Sequence, residues 1–173
     1  MAKNSKVNQK IFYLISTLLA VVAICMIFVD VSAITKNGDS AFVLTGLQAT
    51  FGYSETISGL GLSHTTVVST FSILNLLIYV CLIVGVVLSI LKLLNIAKFK
   101  SVDWVIIALF AVSALLYLFM PTFVVYGKDI VDVVSVAVKN GATKSLMVGS
   151  LIGTIASLFA SFLVVAKKIL AKS

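Results

Sequence analysis

Residues 145–170, SLMVGSLIGTIASLFASFLVVAKKIL, decide how the rest of the chain is read. Successive residues of an α-helix stand about 100° apart. On that grid Gly149, Ser150, Gly153, Thr154, Ala156, Ser157, Ala160 and Ser161 fall in one sector, whereas Leu151, Ile152, Ile155, Leu158, Phe159 and Phe162 fill the other. One side is a smooth, slightly polar groove and the other is bulky and apolar. Small residues let helix backbones approach closely where lipid supplies no hydrophobic drive between helices, so the pattern predicts a packed membrane bundle.

Composition agrees. The chain of 173 residues is 61% hydrophobic and 11% charged, with mean hydropathy +1.20. Soluble domains run at about 45–50% apolar and about 25% charged. The net charge of +7 comes from lysines alone, against five Asp and one Glu. Most of those lysines flank apolar segments, where they act as orientation signals and contacts to anionic headgroups, not as a nucleic-acid surface. Cys25 and Cys81 lie inside apolar runs, outside any CxxC or metal pattern, so no disulfide or zinc framework is implied. No cofactor motif is present.

Four spans are expected, at about 11–29, 65–94, 104–120 and 145–170, in a single membrane domain covering 1–173. The first run of 19 apolar residues rises about 28 Å, enough to cross the hydrocarbon core. It also exceeds the about 7–15 residues of a signal-peptide core, so an uncleaved first helix is expected despite the small residues Val31-Ser32-Ala33 behind it. Trp104 is placed as an interfacial anchor, and Pro121 kinks or ends the third span. The N-terminus, the 92–103 connection and the C-terminus hold nine lysines, against Lys36, Lys128, Lys139 and Lys144 in the other connections. By the positive-inside rule both termini are cytoplasmic, and the connections 30–63 and 121–144 are outside, at the plasma membrane.

The first outer connection reads as strand, tight turn, strand. Asn37-Gly38 suits a type I′ hairpin turn, whose two central residues need positive φ. The second strand is expected to run from Ser40 to Tyr53, with apolar residues on both faces near its start. A lone hairpin is marginal in water, so Phe42, Leu44, Gln48, Phe51 and Tyr53 are the expected partner surface. Residues 54–63 read as a flexible return to the membrane. The valine-rich 129–138 segment fits strand or helix, and its β-branched content favours strand slightly, paired with 40–53.

Within the bundle, Gly149 and Gly153 form a GxxxG inside a longer ladder that includes Ser157 and Ser161. Packing against the chain's own first or third helix is weighed against homodimerisation, and three tethered helices favour the first. Asn75 is expected to bond between helices, at about 1 kcal/mol. Transport usually needs intramembrane acids, bases or broken helices, whereas Asp30, Asp103 and Lys92 fall at span ends. His64, Glu55, Asp39, Asp129 and Asp132 are the acid/base candidates outside the spans, but nothing in their spacing builds a nucleophile elbow, calcium loop or zinc site. No enzymatic activity is expected.

Four spans, cytoplasmic ends, a larger strand-bearing first outer loop and a smaller second one resemble the claudin-type tetraspan layout. The resemblance covers topology across the whole chain. The family places a Trp, a Gly-Leu-Trp and two cysteines in its first outer loop; here Gly46-Leu47 is followed by Gln48, and 30–63 holds neither Trp nor Cys. No family residue role transfers. The likeness implies an outer β-element on a four-helix bundle, used for adhesion or for modulating a larger membrane partner. The expectation is therefore a non-enzymatic tetraspan interaction, adhesion or accessory subunit, in contact with lipid and with a membrane protein or a second copy. The alternative is a small oligomeric channel or transporter.

Overall fold

Asn37 and Gly38 take φ of +53° and +93°, the paired left-handed conformation of a type I′ turn. They join β1 (Asp30–Lys36) to β2 (Asp39–Thr45) in the computed structural model, which describes residues 2–59, 62–97, 99 and 101–170. Pairing runs from Lys36 opposite Asp39 to Asp30 opposite Thr45, with irregularities near Ser32 and Ile34. Phe42 sits at that irregularity with φ +51°, a strained value for a bulky residue. Its side chain packs on Ile34, Ile130, Val134 and Ala142, contacts that offset the strain.

The second strand stops at Thr45, so its expected continuation to Tyr53 is corrected. Thr45 Oγ1 accepts from the Gln48 amide at 3.3 Å, and Gln48 Oε1 accepts from the Thr45 amide at 3.0 Å. This reciprocal capping box starts a helix, α2 (Gly46–Phe51), which Gly52 ends at φ +95°. Residues 54–59 and 62–63 are likewise not a loose return, while 60 and 61, also expected in it, lie outside the described residues. The described ones belong to a second antiparallel pair, β3 (Tyr53–Gly59) against β4 (Leu62–Thr70), so the stretch from Thr65 to Thr70 is strand and the next long helix starts at Ile73. Hydropathy averaging merges an apolar strand with the helix behind it; the hydroxyl-rich, β-branched run Thr65-Thr66-Val67-Val68-Ser69-Thr70 carries the distinction.

The valine-rich segment is a helix, α5 (Lys128–Lys139), which corrects the preference for strand. Ile130, Val134 and Ala137 recur at helical spacing on the buried side, against Ile34, Phe42 and Ala142. Tertiary burial outweighs valine's β-preference there. The third strand beside β1 is instead β6 (Thr143–Leu146), where the Thr35 hydroxyl meets those of Thr143 (3.2 Å) and Ser145. The two sheets have strand orders β2-β1-β6 and β3-β4-β5, with β5 being Val125–Tyr126.

Among the described residues, four helices are long and apolar enough to cross a membrane: α1 (Ala2–Cys25, whose apolar stretch with the following 3-10 turn is Lys10–Phe28), α3 (Ile73–Leu93), α4 (Ser101–Leu118) and α6 (Val148–Leu170). Pro121 lies beyond α4 in a 3-10 turn, Met120–Thr122. The chain gathers into two compact units. Met1–Cys25, Leu77–Tyr117 and Ile152–Ser173 form the first, a bundle of the four long helices. Met26–Leu76 and Leu118–Leu151 form the second, which holds both sheets, α2 and α5. Leu18, Val87, Leu115 and Phe159 are each about half exposed on the long helices.

Candidate functional site

The sorted face of α6 meets different neighbours along its length. At Gly153 the Tyr117 ring lies so close that a Cβ would stand 2.8 Å from it. Tyr117 is fully buried, and its hydroxyl donates to the Ala23 carbonyl at 2.6 Å. Ser16 of α1 donates to the Ala160 carbonyl at 2.7 Å, and Ser161 donates to the Ile107 carbonyl at 3.2 Å. Ser157 bonds back to the Gly153 carbonyl at 2.7 Å. In the second unit, a Cβ at Gly149 would lie 2.8 Å from the Asp30 carbonyl oxygen. Gly149, Gly153 and Ser161 thus face other parts of the same chain, and small size there permits the approach.

Asn75 is fully buried and donates from Nδ2 to the Ala49 carbonyl at 2.9 Å. Its partner is the short helix α2 rather than another long helix. Ser72, just ahead, donates to the Phe123 carbonyl at 2.8 Å. Together these bonds tie the start of α3 to both connections of the second unit.

The five residues expected to form one partner surface are not brought together on one strand face. Leu44 is buried, Phe42 is packed on the cluster under α5, and the Gln48 amide is engaged in the capping box. Phe51 ends α2 at 53% exposure, and Tyr53 begins β3 half-buried. On α5 of the same unit, Val131, Val133, Val136 and Val138 flank the buried stripe and are 44–54% exposed. Tyr126, beside α5, has its phenol pushed up by burial more than the Ser32 hydroxyl lowers it, and Lys144 stands over its ring at 5.2 Å.

At the lysine-rich end of the bundle four helices converge on one carboxylate that sequence reasoning left as an ordinary helix start. Asp103 of α4 is buried; its Oδ1 accepts from the Tyr13 hydroxyl of α1 at 2.7 Å and lies 3.1 Å from the Lys92 ammonium of α3. Its Oδ2 takes the Lys167 ammonium of α6 at 3.2 Å, and Lys167 also reaches the Tyr13 hydroxyl at 3.0 Å. Both oxygens are occupied, so the arrangement ties helices and leaves no free base. Lys92 also donates to the Phe99 carbonyl at 2.7 Å, fastening the connection between α3 and α4. A lone acid among the lysines of that connection, with a tyrosine early in the first span, was the available signal. Among the described residues, no three His, Cys, Asp or Glu side chains gather as a metal site would need.

No protein-family model, curated protein or solved structure matches this chain.

Proposed function

We propose that this protein is a plasma-membrane tetraspan that acts as a non-enzymatic interaction or accessory subunit, engaging the outer part of another membrane protein through the second unit. Lysine asymmetry supports cytoplasmic termini. Four crossings then bring the 26–76 and 118–151 segments out on one side. The claudin-type resemblance implies the same use of such a layout, by topology alone.

The observation that carries this reading is the set of exposed valines on α5, Val131, Val133, Val136 and Val138. They lie outside the four long apolar helices, where lipid contact does not account for them. Exposed apolar area of this kind marks interaction surfaces. Lys128, Asp129, Asp132 and Lys139 give the helix charges of both signs, a suitable rim for a protein partner. On α6, the Ser157 and Ser161 hydroxyls go to backbone carbonyls of the chain itself, which favours an interaction role over a channel.

The test is a photo-crosslinker at Lys139, one turn beyond Val136, in intact cells. A saturable adduct to a single membrane protein is expected, lost in V133D/V136D while that variant keeps its melting profile in detergent. Adducts to lipid alone, or an adduct indifferent to V133D/V136D, would refute the proposal.

A further inference from the structure

The short helix α2 is fastened at both ends to residues that bound long apolar helices. Its Gly46 amide donates to the Val29 carbonyl at 3.1 Å, one residue past Phe28, where the apolar stretch that begins in α1 ends. Toward its other end the Thr50 carbonyl accepts from the Ser72 amide at 2.8 Å and the Ala49 carbonyl from Asn75 Nδ2 at 2.9 Å; Ile73, which opens α3, lies between those two donors. Ser69 Oγ adds a bond to the Gln48 carbonyl at 2.9 Å. All of these residues belong to the second unit.

Those bonds fix the level of α2. The apolar stretches of α1 and α3 are 19 and 21 residues long, which at about 1.5 Å per residue matches the about 30 Å of hydrocarbon in a bilayer. With both helices crossing, Phe28 and Ile73 stand at the hydrocarbon edge, and α2, bonded beside both, stands there too. Leu47 and Phe51 are four apart, on one face of α2, and are 42% and 53% exposed. Phe28 and Phe71, each one residue from a bonded end, are 73% and 52% exposed. No charged residue occurs between Asp39 and Glu55, so no charge on α2 opposes contact with acyl chains. A helix lying at this level buries its apolar face about 5–10 Å into the boundary between headgroups and acyl chains. We infer that α2 is an interfacial foot: Leu47 and Phe51, with Phe28 and Phe71 beside its ends, are seated in the lipid of the leaflet opposite the lysine-rich one. The occupant of this face is lipid, which withdraws Phe51 from any protein-partner surface and leaves that role to α5. The inference goes beyond the protein-interaction reading and requires only that α1 and α3 cross a bilayer.

Trp104 is the single tryptophan of the chain, so a W104F background accepts one new reporter at a time. The full-length protein carrying F51W, L47W or, midway along α3, I83W is reconstituted in phosphatidylcholine vesicles. Part of the lipid is brominated either near the headgroup end of its acyl chains or at their middle, and iodide is supplied separately on both sides of the membrane. F51W and L47W are expected to lose more emission to the shallow bromines than to the mid-chain ones and little to iodide, and I83W is expected to show the reverse order of bromines. The two α2 reporters stand in for each other where one does not fold, as judged by helical circular dichroism. Strong loss to iodide with none to bromine at α2, while I83W is quenched, places the face in water and overturns the foot with the spans intact. Protection from iodide and from both bromines shows a face covered by protein and also overturns it. Greater loss to mid-chain bromines at α2 overturns the boundary level, and an unquenched I83W overturns the crossing of α3 on which the inference stands.

Discussion

Gly153→Ala is the sharpest probe of how α6 packs, because its sign depends on one ring. Within an exposed helix the change would stabilise by up to about 1 kcal/mol through backbone propensity. Here the new Cβ would stand 2.8 Å from both Cε1 and Cζ of Tyr117 and 3.0 Å from Cδ1. The ring cannot step back freely. Its hydroxyl holds the Ala23 carbonyl at 2.6 Å, and its contact with Tyr79 is edge-on at 5.9 Å between centroids. If the ring moves, the hydrogen bond is lost, at about 0.6–1.7 kcal/mol. The aromatic pair is lost as well, at about 0.5–1.5 kcal/mol. If it stays, overpacking costs about 1–3 kcal/mol. Either route outweighs the propensity gain, so a net loss of about 1 kcal/mol is expected. Gly153→Leu, for which no retained ring position leaves room, should lose about 3 kcal/mol or more.

The decisive comparison is the same substitution made where the ring is absent. In a Y117L background the clash disappears and G153A should become neutral or stabilising, a coupling of about 1–2 kcal/mol between the two positions. Unfolding in mixed detergent micelles, followed by helical circular dichroism, measures all four proteins. An identical cost for G153A in both backgrounds would refute the packing, as would stabilisation by G153A in the parent.

Two further pairs of substitutions separate the units. Asp103→Asn removes the charge that Lys92 and Lys167 share, and should cost about 2–3 kcal/mol, the low end for a broken buried pair because those lysines retain 12% and 14% exposure; Tyr13→Phe, which leaves the charges balanced, should cost about 1 kcal/mol in the same detergent melts, and equal losses would contradict a role for the charge. Gly127→Ala would drive its Cβ to 1.9 Å from the Val67 carbonyl oxygen, so hydrogen exchange should show lost protection across 125–139 with the helices of 77–117 still protected; Gly38→Ala, which meets nothing within 4 Å and carries only a left-handed backbone, should cost about 1 kcal/mol, and equal tolerance of both changes would show that the close approach at Gly127 is absent.

What could be read in advance was what is written within one element. Asn37-Gly38 specifies its turn because two adjacent residues must take positive φ, and no distant partner changes that requirement. The size-sorting of α6 is legible for the same reason, since helical period and side-chain volume together define the face. The neighbours on that face were not legible. Tyr117 stands 36 positions before Gly153, and nothing local to either residue marks it as the ring that glycine admits. The capping box Thr45-x-x-Gln48 was present in the chain but was outweighed by the alternation from Val43 to Tyr53, a period that two short elements imitate when they abut.

The Asp103 cluster shows the limit most clearly. Its bonds span 90 residues to Tyr13 and 64 to Lys167, so each member looks ordinary in its own segment. Counted along the chain, Lys92 and Lys167 are two of the nine lysines at the two chain ends and in the 92–103 connection. Folded together, they also neutralise a carboxylate that would otherwise be costly at a bundle end. A substitution such as D103N therefore leaves two ammoniums without their shared partner and loosens the four helices that the carboxylate ties. In a K92Q/K167Q background, where neither ammonium is left unpaired, the same substitution should cost clearly less in the detergent melts. An equal cost in both backgrounds would show that the shared charge is not what holds the helices together.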